Sequence, residues 1–153
     1  MTRLFTVALA LSIVSPASAA QALWKQTNHW TISGDTQTGV CIAETIYPAK
    51  GQSLLIAEGS IGWSLFLTGT NAVAGGLYRV DVATSSGGVG EFQGKGLSDG
   101  LVMFKNLDRE TMWQLAKARQ LAIEGLGAFN LTGSFEAILE THACFLAVTG
   151  EMS

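Results

Sequence analysis

The chain has 153 residues, of which 48% are hydrophobic and 14% are charged, and its formal net charge is −3. This balance excludes intrinsic disorder, which requires low hydrophobicity and high net charge. The nine Lys and Arg residues form no cluster. Nucleic acid is therefore excluded as a partner, because neutralising phosphates requires grouped basic side chains.

The first nineteen residues have the pattern of a Sec-type signal peptide. Arg3 supplies a positive charge, residues 4–14 form a short apolar run, and Pro16 then interrupts any helix that this run forms. The Ala-Ser-Ala sequence that ends at Ala19 is the small-residue pattern of a cleavage site, so we expect cleavage between Ala19 and Ala20. The apolar run is too short for a membrane anchor, which needs about 20 residues. Residues 20–153 are predicted to form a single domain with no membrane span.

Two cysteines, Cys41 and Cys144, lie far apart in the chain and belong to no CxxC or zinc pattern. Because an exported chain meets an oxidising compartment, one intramolecular disulfide is the simplest interpretation. A thiol linked to a partner and two buried free thiols remain alternatives. The predicted location is the periplasm, and secretion from the cell is the alternative.

Alternation of apolar and polar residues predicts most of the chain to be strands. In residues 77–83, for example, Tyr78, Val80 and Val82 share one face, and Arg79 and Asp81 share the other. Turn-forming residues separate such stretches. The predicted strands are 30–33, 40–46, 53–57, 63–68, 77–83, 89–93, 101–104, 121–124 and 128–131.

Two segments follow a helical period instead. Asp108 is predicted to cap a helix that runs to Arg119, and a C-terminal helix is predicted from about Ser134 to Leu146. Trp113 of the first helix is expected to lie flat on the sheet. The second helix is expected to pack through one apolar stripe, with Cys144 on its flank; the stripe comprises Phe135, Ile138, Leu139, His142, Phe145 and Leu146.

Together these elements predict a mainly β fold, a β-sandwich or a strongly bent antiparallel sheet, with two short helices, one of them C-terminal. An α+β fold is the near alternative. The Gly-rich segment Ser85 to Gly100 is interpreted as a hairpin or a mobile loop within the single domain.

No motif for catalysis, a metal or a cofactor stands out, and the chain is predicted not to be an enzyme. It lacks a G-x-S-x-G sequence, and its two histidines, His29 and His142, do not have zinc-ligand spacing. We interpret His142 as a neutral, packed residue bonded to a backbone group, with a proton carrier or a pH-sensitive contact between helix and sheet as the alternatives. Trp24 is the best candidate for an interaction residue, since it precedes the first predicted strand in a loosely held segment.

The order of three segments resembles the invasion-associated locus B family of small exported bacterial proteins. The segments are Trp30-Thr31-Ile32, Cys41-Ile42-Ala43-Glu44 and residues 129–139, and the likeness spans most of the mature chain. The chain lacks a cysteine-glycine-cysteine element in its middle and has few basic residues. The resemblance implies a non-enzymatic β-sandwich protein of the cell envelope that takes part in host-surface interaction, with no catalytic residues to transfer.

The sequence therefore predicts a disulfide-stapled binding or accessory protein of the bacterial cell envelope. Its expected partner is another envelope or extracellular protein. A small periplasmic enzyme inhibitor, acting through Ser85 to Gly100, and a carrier of a small apolar ligand remain the alternatives.

Overall fold

The computed structural model describes residues 21–84 and 89–151. The predicted leader and the cleavage point between Ala19 and Ala20 lie outside this part of the chain. Residues 85–88 of the Gly-rich segment also lie outside it.

One antiparallel sheet of ten strands dominates the described residues, with two α-helices packed on it. Its strand order is β1-β2-β3-β4-β5-β8-β7-β6-β9-β10. The helices are α1 (Arg109–Lys117) and α2 (Ser134–Thr149), and the prediction of a mainly β fold with two helices is confirmed. The strands are β1 (Gln21–Gln26), β2 (Thr31–Asp35), β3 (Val40–Tyr47), β4 (Gln52–Gly59), β5 (Gly62–Thr68), β6 (Leu77–Thr84), β7 (Val89–Ser98), β8 (Leu101–Leu107), β9 (Ala118–Ile123) and β10 (Gly127–Asn130).

Alternation located every strand except β1. Every residue of this edge strand except Lys25 is exposed, so the strand has no buried face that would produce an alternating pattern. The Gly-rich segment forms a hairpin in its described part, where β6 and β7 pair from Leu77 with Lys95 to Ala83 with Val89.

The sheet bends so strongly that its last strand returns to the end of β3. Tyr47 at that end donates its phenolic hydrogen to the carbonyl oxygen of Asn130 in β10, 2.5 Å away. Lys50 Nζ donates to the carbonyl oxygen of Ala128 at 3.1 Å, and the Tyr47 ring meets the Phe129 ring edge-on at 5.7 Å. Two side chains thus donate hydrogen bonds to backbone carbonyl groups on the open side of β10. In an edge strand such groups otherwise have no partner within the sheet.

The inner face of the bend holds the core. Trp30 is 1% exposed, and its indole N–H donates to the carbonyl oxygen of Thr132 at 2.8 Å, so the large ring is buried with its polar atom satisfied. Helix α2 lies over β2, β3 and β4, whereas α1 contacts α2, β6 and β9. The largest fully buried apolar side chains of the strands are Ile32, Leu54, Ile56, Leu65, Leu67, Val80, Phe104, Leu121 and Phe129.

Both helices begin at local signals, and both end at residues other than predicted: α1 ends at Lys117, two residues before the predicted end at Arg119, because β9 begins at Ala118. The carboxylate of Asp108 accepts the backbone N–H of Thr111 at 2.8 Å, which confirms the predicted cap of α1. Helix α2 lies between two glycines with left-handed backbones, Gly133 (φ 80°) and Gly150 (φ 75°), and so runs three residues beyond the predicted end. No helix in the described ranges is long and apolar enough to cross a bilayer.

Candidate functional site

A groove open to solvent runs between α1 and α2, with a volume of about 870 Å³. Its walls are apolar and aromatic, and three polar side chains, Arg109, Glu110 and His142, also line it. The apolar lining comprises Trp63, Met112, Trp113, Ala116, Phe135, Ile138 and Leu139. Concave apolar surface with a few polar groups is the usual composition of a binding site.

The α2 wall of the groove corrects the predicted packing of this helix. The side of α2 that faces the core carries Ala137, Thr141 and Cys144, each 0% exposed. Two residues of the predicted apolar stripe, Phe135 and Leu139, are 47% and 53% exposed instead. The physical reason is that the disulfide and the close approach to the sheet favour small residues on the buried side. The bulky residues are thereby turned toward the groove.

The α1 wall presents Trp113, which does not lie on the sheet as predicted. The indole is 47% exposed and meets the Phe135 ring edge-on at 5.9 Å across the groove. Lys117 Nζ lies 5.3 Å from the centre of the indole. The inward side of α1 is formed by Met112, Leu115 and Ala116. The groove is therefore bridged by one aromatic pair with both rings accessible.

A β-bulge shapes the end of the groove where Trp63 lies. Trp63 pairs with Leu107 and Leu65 with Phe104, so two residues of β8 oppose one residue of β5. The second of these two, Asn106, has φ 56°, a left-handed conformation that few residues other than glycine adopt. Bulges of this kind change the direction of neighbouring side chains and occur often beside functional sites.

A histidine and a buried carboxylate meet at the edge of the groove. His142 Nδ1 lies 3.0 Å from both carboxylate oxygens of Glu58 in β4. Glu58 is 6% exposed, and burial raises the pKa of its carboxyl group, although the hydrogen bond from His142 opposes this. The His142 side chain is 52% exposed, and its ring lies 6.5 Å from that of Trp63. The predicted bond from His142 to a backbone group is wrong: the partner of this helical residue is an acidic side chain of strand β4, and this corresponds to the alternative of a helix-to-sheet contact.

The predicted disulfide is present and lies under α2. Cys41 of β3 and Cys144 are bonded, with their Cα atoms 6.0 Å apart, and both are fully buried. Gly34 of β2 lies directly beneath the bridge. A Cβ atom at this position would lie 2.7 Å from Cys144 Sγ, so the absence of a side chain allows the helix to approach.

Trp24 lies at a bulge in β1, outside the groove lining. Its indole N–H donates to Glu140 of α2 at 3.1 Å, and 41% of the residue remains exposed. Lys25 donates to the same carboxylate at 2.8 Å. These two hydrogen bonds lower the pKa of Glu140. The role of Trp24 as an interaction residue stays a prediction, since its visible contact holds β1 against α2.

No family model, curated protein or solved structure matches this chain. The resemblance to the invasion-associated locus B family therefore stays a prediction. The candidate site stands on its own geometry.

The sequence predicted the Cys41–Cys144 disulfide and identified His142 as a candidate residue, but it did not identify Glu58. The two members of the pair are 84 positions apart, and no motif marks Glu58 as buried. The one available signal is its place in a strand among apolar residues. His29, the other candidate, is exposed and lies outside the groove lining. Within the described ranges, no group of three or more potential metal ligands occurs.

Proposed function

We propose that this chain is an exported, non-enzymatic binding protein, and that the groove between α1 and α2 receives an apolar segment of another envelope or extracellular protein. The observation that carries the proposal is the exposure of Trp113, Phe135 and Leu139 side by side, at 47%, 47% and 53%. Aromatic side chains in a groove supply large contact area at low entropic cost, and such residues concentrate binding energy at protein interfaces.

The shape and rim of the groove favour a segment of a protein over a small enclosed ligand. The groove is open to solvent along the surface, and charged Arg109 and Glu110 lie beside its apolar walls. An apolar centre with a polar rim is the usual anatomy of a protein interface. A carrier of a small apolar molecule would instead be expected to bury most of its ligand.

Export is supported by the buried Cys41–Cys144 bridge and by the predicted leader. A structural disulfide persists in the periplasm or outside the cell, whereas the cytosol keeps thiols reduced. The proposal accordingly places the protein in the periplasm, or secreted, and agrees with the role that the family resemblance implies.

Site-specific photo-crosslinking tests the proposal. A photoreactive phenylalanine analogue is placed at Leu139 in the groove or, as the matched control, at Leu77, which is 74% exposed and outside the groove lining. The oxidised domain, from Ala20 onward, is irradiated with envelope and culture-fluid extracts. We expect a discrete protein adduct from position 139 that is lost when Trp113→Ala is added, and no such adduct from position 77. Equal adducts from both positions would contradict the proposal.

Native mass spectrometry provides the second arm of the experiment. If the purified protein carries an apolar small molecule that Trp113→Ala releases, the carrier function replaces the binding of a protein segment. If the protein is free of such a molecule and position 139 yields the adduct, the proposed function is supported.

A further inference from the structure

The contact between His142 and Glu58 determines which nitrogen of the imidazole ring carries a hydrogen. Nδ1 lies 3.0 Å from each of the two carboxylate oxygens of Glu58. This equal spacing is the geometry of one N–H donated to both oxygens of an ionised carboxylate, and the hydrogen bond at one ring nitrogen sets the state of the other. In the neutral ring, Nε2 is therefore the nitrogen without a hydrogen, and it is an acceptor. It has no partner among residues 21–84 and 89–151, and His142 lines the groove.

An acceptor nitrogen beside aromatic rings is suited to a cation that carries N–H groups. The Trp63 ring lies beside that of His142, with the ring centres 6.5 Å apart, and both residues line the groove. Indole faces attract cations electrostatically. The groove already contains such a contact farther along α1, where Lys117 Nζ lies 5.3 Å from the centre of the Trp113 ring. The aromatic lining of the groove is therefore compatible with a positive charge.

Carboxylates outnumber basic groups around His142. Arg109 and Glu110 are adjacent in the first turn of α1 and both line the groove, so their opposite charges offset each other. Glu58 brings a second carboxylate from β4. Burial raises the pKa of Glu58 and the charge of Glu151, after the end of α2, raises it further, so a third carboxylate acts at the same place. The net charge around the ring is negative, and electrostatics favour a cationic occupant over an anionic one.

We propose that the groove recognises a cation, and that the apolar segment bound there carries a primary ammonium group, such as that of a lysine side chain, which donates a hydrogen bond to His142 Nε2 beside the Trp63 ring. The proposal deepens the proposed function and rests on it. The partner is thereby specified as a basic, apolar segment of an envelope or extracellular protein. The apolar walls supply contact area, and Nε2 supplies the selection among segments.

Four ten-carbon probes with different head groups test the chemistry directly: decylammonium, decyltrimethylammonium, decanol and decanoate. Binding is followed by tryptophan fluorescence, since Trp63 and Trp113 line the groove. The measurement is made at about pH 8, where imidazole rings are neutral and alkylammonium groups keep their proton. We expect decylammonium to bind roughly tenfold more tightly than decanol, the effect of one charge-assisted hydrogen bond, and decanoate to bind most weakly.

Decyltrimethylammonium separates the charge from the hydrogen bond. It has the positive charge but no N–H, so it should bind less tightly than decylammonium. Decanol, decanoate or decyltrimethylammonium binding as tightly as decylammonium would overturn the proposal.

His142→Asn separates recognition from folding. The asparagine amide reaches the position of Nδ1, so this variant keeps a donor for Glu58 and loses the acceptor Nε2. The preference for decylammonium should disappear while decanol binds as before. His29→Asn is the matched control and should keep the preference, since His29 is exposed and outside the groove lining. A preference that survives unchanged in His142→Asn would contradict the role of Nε2.

The charge argument has a test of its own. Glu110→Gln removes one carboxylate from the groove lining and should reduce the preference for decylammonium over decanol. Glu124→Gln is the control, because Glu124 is exposed and outside that lining, and it should leave the preference unchanged. Equal results from the two variants would mean that the local charge does not select the cation.

Nitrogen-15 NMR of the wild-type imidazole needs no substitution. At about pH 8 it should show Nδ1 protonated and Nε2 without a hydrogen, and the Nε2 resonance should shift when decylammonium binds. A protonated Nε2 in the free protein, or a resonance that decylammonium does not move, would overturn the proposal.

The outcomes distinguish this proposal from the proposed function. If position 139 captures a protein but the probes show no preference for decylammonium, the binding function stands and cation recognition is wrong. If a long-chain amine is found bound to the purified protein and His142→Asn releases it, cation recognition stands and the protein segment is wrong as the occupant.

Discussion

Cys41 and Glu58 are direct cross-strand partners of β3 and β4, and both side chains hold α2. Cys41 is bonded to Cys144, and Glu58 is hydrogen-bonded to His142, two residues earlier in the helix. One row of the sheet therefore fixes the helix at two points, one covalent and one polar. The α2 wall of the groove owes its position to this row.

Removing the bridge should reduce stability strongly. In the chain-entropy model, a disulfide that closes a loop of about 100 residues contributes roughly 4–5 kcal/mol, and native strain often lowers this value. We expect the Cys41→Ser/Cys144→Ser double variant to show a correspondingly smaller free energy of unfolding in urea. The control is the wild-type protein with reductant, which should unfold like the variant. If the oxidised wild type and the variant have the same midpoint, the bridge has no stapling role.

Gly34→Ala should impair the same region without touching a cysteine. The added Cβ would lie 2.7 Å from Cys144 Sγ and 3.1 Å from Cys41 Sγ, so the helix or the strand has to shift. Overpacking of this kind costs about 1–3 kcal/mol. Urea unfolding and titration of free thiols measure the loss of stability and any incomplete bridge. Gly59→Ala is the matched control, since its Cβ would meet only a methyl group of Val40, at 3.2 Å, and a result equal to that of Gly34→Ala would refute the explanation.

The sequence was sufficient to predict most of the sheet, because the alternation of apolar and polar residues along a strand indicates which of its faces is buried. Strand β1 was missed since both of its faces are exposed and it lies at an edge. The orientation of α2 about its axis was predicted wrongly, because the large apolar residues, including Phe135 and Leu139, contribute more to a hydrophobic periodicity than small residues do. Yet small residues such as Ala137 are what a closely packed helix buries. The His142–Glu58 pair depends on contacts 84 positions apart, which local patterns do not contain.

Tyr47→Phe should loosen β10 while keeping the ring contact with Phe129. The change removes the hydrogen bond to the Asn130 carbonyl oxygen, and a bond of this kind contributes about 1 kcal/mol. Burial also raises the pKa of Tyr47 to about 12, so the phenol is a donor at all ordinary pH values. Hydrogen exchange should accelerate in β10. Tyr78→Phe is the control, because the phenol that it removes accepts the N–H of Val73 instead, and it should leave exchange in β10 unchanged. Faster exchange in β10 in both variants would contradict the idea that the Tyr47 hydrogen bond protects this edge strand.

Glu140→Gln should weaken the attachment of β1 to α2 in a pH-dependent way. Hydrogen bonds from Lys25 and Trp24 lower the pKa of Glu140, so its contribution to stability is present above its ordinary value of 4.5 and is lost as the pH falls through the lowered pKa. At about pH 7 we expect the melting temperature to drop by about 1–2 °C, with the difference between variant and wild type shrinking as the pH falls below 4.5.

Glu136→Gln is the matched control for that change. Glu136 lies 3.2 Å from Lys25 Nζ but accepts no hydrogen bond from Trp24, so its replacement should affect the melting temperature less. An effect of Glu140→Gln that persists undiminished at pH 3 would mean that the carboxylate charge is not its source.

The covalent attachment of α2 to the sheet determines when the groove is complete as well as what shape it has. One of its two walls is locked in place only after Cys41 and Cys144 have been oxidised. A newly made chain that still has both thiols would hold that wall by packing and the His142–Glu58 contact alone. The bond thus sets an order of events: α2 is fixed covalently to the sheet, and the groove wall with it, only once both thiols have been oxidised.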